Sequence, residues 1–501
     1  MKKWKIMPLI VLVILLMTGC QETPEKSAVV DKSVGLDEEL ILKPLKKGEN
    51  RETDIPKQWN ASEEKNDGKV KISADLNLEQ TNPGNLPVIE MENSKITEEK
   101  LKELVNVFAE GKELYAPQIH TKEYYQKWKD RIDAGEGAYA DPSSFAYYQE
   151  IEGRLDDAIE LAPEQAQAEQ KTEPGFYKKT EEPAWEAVQG NIQEDTKDLP
   201  VYFTADVGSE REAYIQAENY DSKLANSSSF KWENKAVVLD ESDIRSCLRL
   251  ADSDEGGISA SYIEEFKGIL NNFLIRLEQS DLSKEEAEEK AEELLEQVWA
   301  GQLSLSDSQK ILWFPQREGF ERNGIGALED LFWQTTPEDG KDGYRFVFTK
   351  SISGLSAGAT DGYMLNQAVE SYTAPFPVET ITVIVTEDGV QSFSWEGMAK
   401  EVDVVAENTK LCSFETIQEQ LFDQVFYWYS SKGQPESDPT VFDYKVSSAK
   451  LGYSYITAFE NPQNAWLVPT WFFFVTEHVN GQEFQELPFA IQALDGSVIG
   501  G

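Results

Sequence analysis

The clearest catalytic pattern in the sequence is Gly354-Leu-Ser356-Ala-Gly358. This G-x-S-x-G spacing is typical of a turn that presents a nucleophilic serine, with the acid and the histidine of the triad following later in the chain. Several carboxylates and then His478 follow Ser356 in that order. Such a turn must lead directly into a helix, whereas residues 359–363 have the composition of a loop. The sequence therefore predicts a simple turn at Ser356, with a serine hydrolase as a remote alternative.

A second pattern could bind a cation. The segment Asp252-Ser-Asp254-Glu-Gly256 has the closely spaced carboxylates with which a calcium loop begins. Its fifth and twelfth positions are Gly256 and Ile263, which offer no side-chain oxygen, although Glu264 lies one residue later. We interpret the segment from Asp252 to Glu264 as an acidic loop before a helix, and calcium binding there stays open.

The histidines and cysteines are too few and too widely spaced for a metal or redox centre. His120 and His478 are far apart and match no standard histidine-based metal motif. Cys247 and Cys412 lack C-x-x-C spacing, and we expect two buried thiols rather than a disulfide. Ser447-Ser-Ala-Lys450 matches S-x-x-K without its companion motifs, so we attribute it to chance. The sequence predicts no metal site, no cofactor and no catalytic residue.

Carboxylates and aromatic residues are abundant enough to occur together by chance. With 91 Asp and Glu, no particular pair can be named as the acid and the nucleophile of a glycosidase. The aromatic runs Phe426-Tyr-Trp-Tyr429 and Trp471-Phe-Phe-Phe474 could stack on sugars. Such runs more often fill the space between a sheet and a helix, and we expect both to be core.

The composition limits the kinds of partner. The chain has 501 residues, of which 40% are hydrophobic, so it can bury the cores of two or three domains. It carries 47 Lys and Arg against 91 Asp and Glu, a formal net charge of −44. Such a charge repels phosphate backbones and anionic lipid headgroups. The composition argues against nucleic-acid binding, and a protein partner is expected to be basic or cation-bridged.

The N-terminus has the pattern of a bacterial lipoprotein signal. Three lysines within residues 2–5 precede the apolar run 6–17, which is too short to span a bilayer, and Thr18-Gly19-Cys20 follows. We expect residues 1–19 to be removed and Cys20 to carry a diacylglycerol, since two acyl chains anchor a protein stably. The predicted location is the extracytoplasmic face of the cell membrane. An uncleaved short anchor is the alternative.

The order of local patterns predicts an α+β protein. Residues 20–67 are polar and are expected to form a tether, with a short strand within it as the alternative. Strict alternation begins at Val70, in a predicted N-terminal α+β domain at 68–240. A helix followed by three strands then occurs twice, at 259–400 and at 413–501. Hairpin-connected strands after a helix imply antiparallel sheets covered by helices, rather than a doubly wound parallel sheet.

Five segments of the chain share a likeness to one protein family. They are Cys20-Gln-Glu-Thr-Pro-Glu-Lys, Tyr344-Arg-Phe-Val-Phe-Thr, Glu379-Thr-Ile-Thr-Val-Ile-Val-Thr-Glu-Asp-Gly-Val, Leu467-Val-Pro-Thr-Trp-Phe-Phe-Phe and Phe489-Ala-Ile-Gln-Ala-Leu-Asp-Gly-Ser-Val-Ile. Together they resemble a family of Gram-positive lipoproteins classed as a domain of unknown function. The two C-terminal units loosely resemble PepSY-like domains and the YycH- and YycI-type envelope regulators, which bind and restrain partner proteins. The resemblance implies an architecture and a compartment and supplies no catalytic residues.

These patterns predict a noncatalytic lipoprotein, anchored in the membrane through Cys20, that binds another envelope protein or itself. The edges of antiparallel sheets could accept a strand from such a partner. The alternative is a lipoprotein that captures a sugar, a peptide or an ion for a transporter. Such binding proteins usually have two lobes built from strand-helix-strand crossovers, which the sequence does not predict.

Overall fold

The structure, a computed structural model, describes residues 36–46, 49, 54–79, 83–117, 119–134, 145–166, 170–178, 183–189, 201–221, 226–252, 260–298, 303–315, 331–358, 374–433 and 439–500. These residues form an α+β fold with about 30% helix and 42% strand. The strands pair in two curled sheets that are antiparallel apart from one pair, and helices pack on both sheets. The predicted fold class is confirmed.

The described residues form twenty strands and eight α-helices. The strands are β1 (Gln58–Lys65), β2 (Val70–Asn77), β3 (Val88–Asn93), β4 (Leu114–Tyr115), β5 (Lys171–Thr172), β6 (Tyr177–Lys178), β7 (Val201–Val207), β8 (Ala213–Asp221), β9 (Asn226–Asn234), β10 (Ala236–Asp240), β11 (Leu303–Pro315), β12 (Lys341–Ile352), β13 (Leu355–Ser356), β14 (Thr380–Thr386), β15 (Gly389–Glu396), β16 (Ala399–Ala406), β17 (Phe442–Thr457), β18 (Ala465–Val479), β19 (Gln482–Gln492) and β20 (Val498–Gly500). The helices are α1 (Glu98–Ala109), α2 (Lys122–Ala134), α3 (Phe145–Leu161), α4 (Pro183–Gln189), α5 (Glu241–Asp252), α6 (Ala260–Glu278), α7 (Lys284–Val298) and α8 (Phe414–Ser431).

The two sheets differ in size and in strand order. The first has eight strands in the order β1-β2-β17-β18-β19-β20, and β3 joins it by pairing with both β16 and β18. The second has twelve strands in the order β10-β11-β12-β14-β15-β9-β8-β7-β4-β5, with β13 on β12 and β6 on β7. The parallel pair is β2 with β17 in the first sheet.

Helix α8 covers one face of the first sheet. The hydroxyl of Ser413 accepts a hydrogen bond from the Thr416 amide at 3.1 Å and so caps the start of the helix. Apolar side chains then recur every three or four residues. Those buried against the sheet are Phe414, Ile417, Leu421, Phe422, Val425, Phe426 and Tyr429. The sequence predicts a helix that starts at Ser413 with Ile417, Leu421 and Val425 inward, and both the start and the inward face are confirmed.

Helices α1 and α7 cover the second sheet. The hydroxyl of Thr97 accepts from the Lys100 amide at 3.1 Å, and that of Ser283 accepts from the Glu286 amide at 3.3 Å, so each hydroxyl caps the start of its helix. Their apolar faces pack on the inner face of the sheet, where Phe346 is fully buried. Helices α5 and α6 pack around the end of β11, and α2, α3 and α4 share a small core of their own.

The sheets cross the segment boundaries drawn from the sequence. Strand β1 lies inside the segment 20–67, for which the sequence predicts a tether. The segment 68–240 supplies β2 and β3 to the first sheet and β4 to β10 to the second. Residues 36–46 also lie against the fold, where the Leu42 amide donates to the Asn408 carbonyl at 2.9 Å. Local alternation carries no information about strand partners so distant along the chain.

Candidate partner-binding edge

Ser356 lies in a tight hairpin and not in a nucleophile turn. Strand β13 folds back on the end of β12, with Ile352 opposite Leu355. The two turn residues, Ser353 and Gly354, have φ of +52° and +81°, a left-handed conformation that glycine adopts without strain. Leu355 is buried in the core of the first sheet. The prediction of a simple turn is confirmed.

His478 is remote from Ser356. The carbonyl oxygen of Ser356 lies so close to Gly452 of β17 that a Cβ there would be 2.7 Å away. His478 is paired with Asp443, near the other end of the same strand. The two positions on β17 are separated by nine residues, or about 30 Å of strand. The residues of the predicted catalytic pattern are therefore not brought together.

The other sequence candidates have internal partners or lie outside the described residues. Asp252 ends α5, and Cys20 and most of the acidic loop before Glu264 lie outside the described residues. The Ser447 hydroxyl donates to the Phe474 carbonyl at 3.0 Å and to Glu486 at 2.8 Å. Within the part of the chain that the structure describes, no cluster of three or more His, Cys, Asp and Glu side chains is arranged for a metal.

The cysteines and the aromatic runs are structural. Cys247 and Cys412 are not joined by a disulfide; Cys247 is buried as predicted, whereas Cys412 is only half-buried. Burial raises the pKa of the Cys412 thiol to about 12. The residues Trp471 to Phe474 are all buried, and Trp471 stacks on Phe473 with ring centroids 6.0 Å apart. From the other run, Phe426 and Tyr429 are buried against the sheet. The core interpretation is confirmed for the run from Trp471 to Phe474. In the other run it is wrong for Tyr427, whose side chain is exposed because it lies on the outer side of α8.

Two of the buried carboxylates, Glu477 and Glu379, each link several elements of the fold. Glu477 is fully buried and accepts from the Tyr444 hydroxyl at 2.8 Å and from the Gln485 amide at 2.6 Å, and the Lys432 ammonium lies 2.6 Å from it. Burial and the nearby Glu477 raise the pKa of Tyr444. The three donors come from Lys432 just after α8, from β17 and from β19, so this carboxylate acts as a structural link between the helix end and the sheet.

The second buried carboxylate, Glu379, lies where the two sheets meet. It accepts from the Trp395 indole of β15 at 3.1 Å and from the backbone of Ala399 at the start of β16. Burial raises its pKa to about 7, although these two hydrogen bonds and the charge of Lys350 oppose the shift. Tyr455 of β17 lies beside it, and its pKa is raised by burial and by the charge of Glu379. Glu379 therefore links strands of both sheets.

Strand β1 is the longest regular strand at an open edge among the described residues. Its eight residues pair with β2 without a register shift, and none of the described strands pairs with its other side. The edge strand β16 has two register shifts, and such bulges protect an edge from further pairing. The end strands β5, β20 and β10 have two, three and five residues. Strand β1 is thus the edge best suited to accept another strand.

The backbone groups of β1 alternate between β2 and the open edge. The Leu78 amide donates to the Lys57 carbonyl at 3.0 Å, so Lys57 points toward β2. On the other side of β2, the Phe442 amide donates to the Lys69 carbonyl at 2.8 Å, so the next residue, Val70, points back to β1. Successive residues of a strand point to opposite sides, and both observations fix the same alternation. The N–H and C=O groups that face the open edge are those of Gln58, Asn60, Ser62 and Glu64.

The two faces of β1 differ in polarity. On the face toward α8, Trp59 is buried, packs edge-on against Phe414 and donates its indole N–H to Gln418 at 2.6 Å. At the other end of the strand the Lys65 ammonium lies 4.0 Å from the Phe426 ring centre and 3.5 Å from Asp423. The opposite face carries exposed polar side chains only: Gln58, Asn60, Ser62 and Glu64.

Helix α8 carries acidic side chains on the side that faces the open edge of β1. Contacts with β1 are made by Phe414, Gln418, Phe422 and Phe426, a row at i, i+4 spacing. The adjoining row, one residue further round the helix and away from the core, is Glu415, Glu419 and Asp423, all exposed. We call these three residues the acidic stripe. Because the row before it contacts β1, the stripe lies on the side of the helix toward the open edge, where Asp423 is 3.5 Å from Lys65.

The sequence contained a signal for this hairpin that the tether prediction did not use. Asn66-Asp67-Gly68-Lys69 separates β1 from β2, and the first three of these residues have positive φ. A Gly preceded by Asp or Asn between two strands is a strong hairpin signal. Only Trp59 and Ala61 mark the apolar face of β1, which is too little alternation to identify a strand alone.

Comparisons with known proteins leave the family of this chain unassigned. No family model matches the chain, and no curated protein matches it. Among solved structures it is similar to an uncharacterised protein from Eubacterium rectale, with 11% identity, a TM-score of 0.38 and coverage of 88% of this chain and 93% of that chain. A likeness at that level carries no argument about function. A search of the described residues for membrane-spanning helices found none of sufficient length and hydropathy.

Proposed function

We propose that this protein is a lipid-anchored, extracytoplasmic interaction protein of the cell envelope that binds its partner by strand addition to the open edge of β1. The observation that supports binding is the regular eight-residue edge, whose outward N–H and C=O groups can pair with an extended segment. The support for the compartment is the signal pattern that ends at Cys20. A noncatalytic role accords with the separation of Ser356 from His478.

The anchor and the fold are close along the chain. The first described residue is Leu36, sixteen positions after Cys20, and it packs on a small core of the first sheet. Sixteen residues reach at most about 55 Å when fully extended. An acylated Cys20 would therefore keep the first sheet, and its β1 edge, near the membrane surface.

Lipid anchoring is tested by the substitution Cys20→Ala. The change removes the thiol that would be acylated, so the protein is expected to leave the membrane fraction or to accumulate unprocessed. Cell fractionation and intact-mass measurement of the mature N-terminus are the readouts. Membrane retention with normal processing in the Cys20→Ala variant would show that the prediction of lipid anchoring at Cys20 is wrong.

Strand addition is tested by comparing Ser62→Pro with Ser62→Ala. Both variants lose the hydroxyl, but only proline loses the N–H that faces the open edge, and the β1–β2 hydrogen bonds do not use that group. We expect cross-linking in intact cells, followed by mass spectrometry, to recover the partner with wild type and Ser62→Ala. Ser62→Pro is expected to reduce recovery at least tenfold.

Circular dichroism and the urea midpoint show whether both Ser62 variants stay folded. If a folded Ser62→Pro protein recovers as much partner as wild type, the β1 edge is not the binding site. If wild type recovers no partner at all, the interaction function itself is wrong.

A further inference from the structure

We propose that the partner segment is basic at every second residue, with Lys or Arg side chains that face the acidic stripe of α8. This inference rests on the proposed strand addition and adds the chemistry of the partner to it. The open edge fixes where an added strand lies, and the stripe fixes what its α8-facing side chains meet.

The location of the stripe follows from the contacts of its neighbours on the helix. Gln418 accepts a hydrogen bond from Trp59 near the start of β1, and Phe426 lies under Lys65 at the end of β1. Helix α8 therefore runs along the whole of β1. A strand added beyond β1 would lie about 4.8 Å further out, which is the side to which the acidic stripe faces.

The spacing of the stripe matches the repeat of a strand. Glu415, Glu419 and Asp423 are four residues apart, which is about 6.0 Å along a helix axis. Side chains on one face of a strand repeat every two residues, or about 6.7 Å. Three consecutive basic residues on one face of an added strand would therefore each lie beside one carboxylate. The pattern expected in the partner is Lys/Arg-x-Lys/Arg-x-Lys/Arg.

The charges around the β1 edge favour a partner that is a different protein over a second copy of this chain. Besides the stripe, Glu63 and Glu64 belong to β1 itself, and the one basic residue of the strand, Lys65, is already beside Asp423. Pairing two β1 edges would bring the glutamates of each copy toward the acidic stripe of the other. Like charges facing each other across strands are destabilising, so this edge selects against self-association.

The test uses the full chain with Cys20→Ala and two synthetic fluorescent peptides of identical composition. One has Lys at every second position with Thr and Val between, and the other has its lysines in adjacent pairs. Fluorescence anisotropy at about 50 mM salt is expected to show binding of the alternating peptide at least tenfold tighter than that of the paired peptide. Raising the salt should weaken the tighter complex, because exposed charges are screened.

A matched pair of triple variants isolates the stripe from the net charge. Glu415→Gln/Glu419→Gln/Asp423→Asn removes the stripe, and Glu289→Gln/Glu293→Gln/Glu296→Gln removes three exposed acids from α7, on the second sheet. We expect the first variant to bind the alternating peptide about tenfold more weakly, or about 1.4 kcal/mol. The second is expected to bind it as wild type does.

The outcomes separate this inference from the proposed function. Equal binding of the two peptides, equal behaviour of the two triple variants, or binding of the alternating peptide that Ser62→Pro leaves unchanged would each overturn the basic-segment inference. The proposed function stands or falls on the cellular cross-linking of Ser62→Pro and Ser62→Ala, whatever the charge of the partner recovered.

Discussion

Replacing Lys432 with methionine is expected to lower the free energy of unfolding by about 3 kcal/mol at pH 7. The ammonium lies 2.6 Å from Glu477, whose side chain is fully buried, and only 21% of the Lys432 side chain is exposed. The ammonium also lies 5.8 Å from the Trp428 ring centre and 5.5 Å from that of Phe442, and methionine keeps most of the side-chain volume without the charge. The loss would therefore come mainly from leaving the Glu477 carboxylate buried without its cation. The urea midpoint measures it.

Two further variants test the cause of that loss. Lys445→Met removes a lysine of the same region that is 53% exposed and 3.7 Å from Asp443, and its effect is expected to stay below about 1 kcal/mol. Lys432→Met/Glu477→Leu removes both charges and is expected to recover part of the stability, since no isolated charge remains. If Lys432→Met costs no more than Lys445→Met, the hydrogen bonds from Tyr444 and Gln485 suffice for Glu477.

Glu379 is expected to make the protein about 3 kcal/mol less stable above pH 7 than below pH 4.5, relative to a Glu379→Gln variant. Its pKa is raised from an ordinary 4.5 to about 7 by burial between the sheets. Between these values the folded protein holds a proton that the unfolded chain has released, so stability falls as the pH rises through this range. A rise in the pKa from 4.5 to about 7 corresponds to about 3 kcal/mol.

The measurement is the difference in unfolding free energy between wild type and Glu379→Gln at several pH values. Taking the difference cancels the pH dependence of the other carboxylates, which both proteins share. We expect the wild-type advantage to shrink from pH 4.5 to pH 7 and then to stay constant. A difference that does not change with pH would show that Lys350 and the hydrogen bonds from Trp395 and Ala399 hold Glu379 ionised throughout.

Features set by neighbours along the chain were predicted well from the sequence. Helix α8 starts after Ser413 because that hydroxyl bonds the Thr416 amide, and its buried residues recur at helical spacing, both of which can be read locally. Likewise, two glycines around Ser356 indicated a turn. The β1–β2 hairpin could also have been predicted from the sequence, because Asn66-Asp67-Gly68 is a local signal.

Features set by distant partners could not be predicted in this way. Glu379 and Glu477 look like two among 91 acidic residues, yet each is buried because strands far apart in the sequence enclose it. His478 follows Ser356 in the order of a triad. However, Ser356 lies beside Gly452 of β17 and His478 pairs with Asp443 of β17, and these two positions are about 30 Å apart along the strand. Chain order alone contains neither the burial nor the distance.

The sequence by itself determined the α+β class, the starts and inward faces of helices such as α8 and the strong negative charge, because propensity, capping, periodicity and charge are properties of local residues. Only the tertiary structure decided that β1 is an edge, that the backbone N–H and C=O groups of its odd-numbered residues point to β2 and that those of its even-numbered residues face outward beside the acidic stripe. The physical reason is that a strand becomes an edge through the partner it lacks. Which side of β2 is left for β1 depends on the pairing of β2 with β17, where Val70 lies opposite Phe442, far away in the sequence.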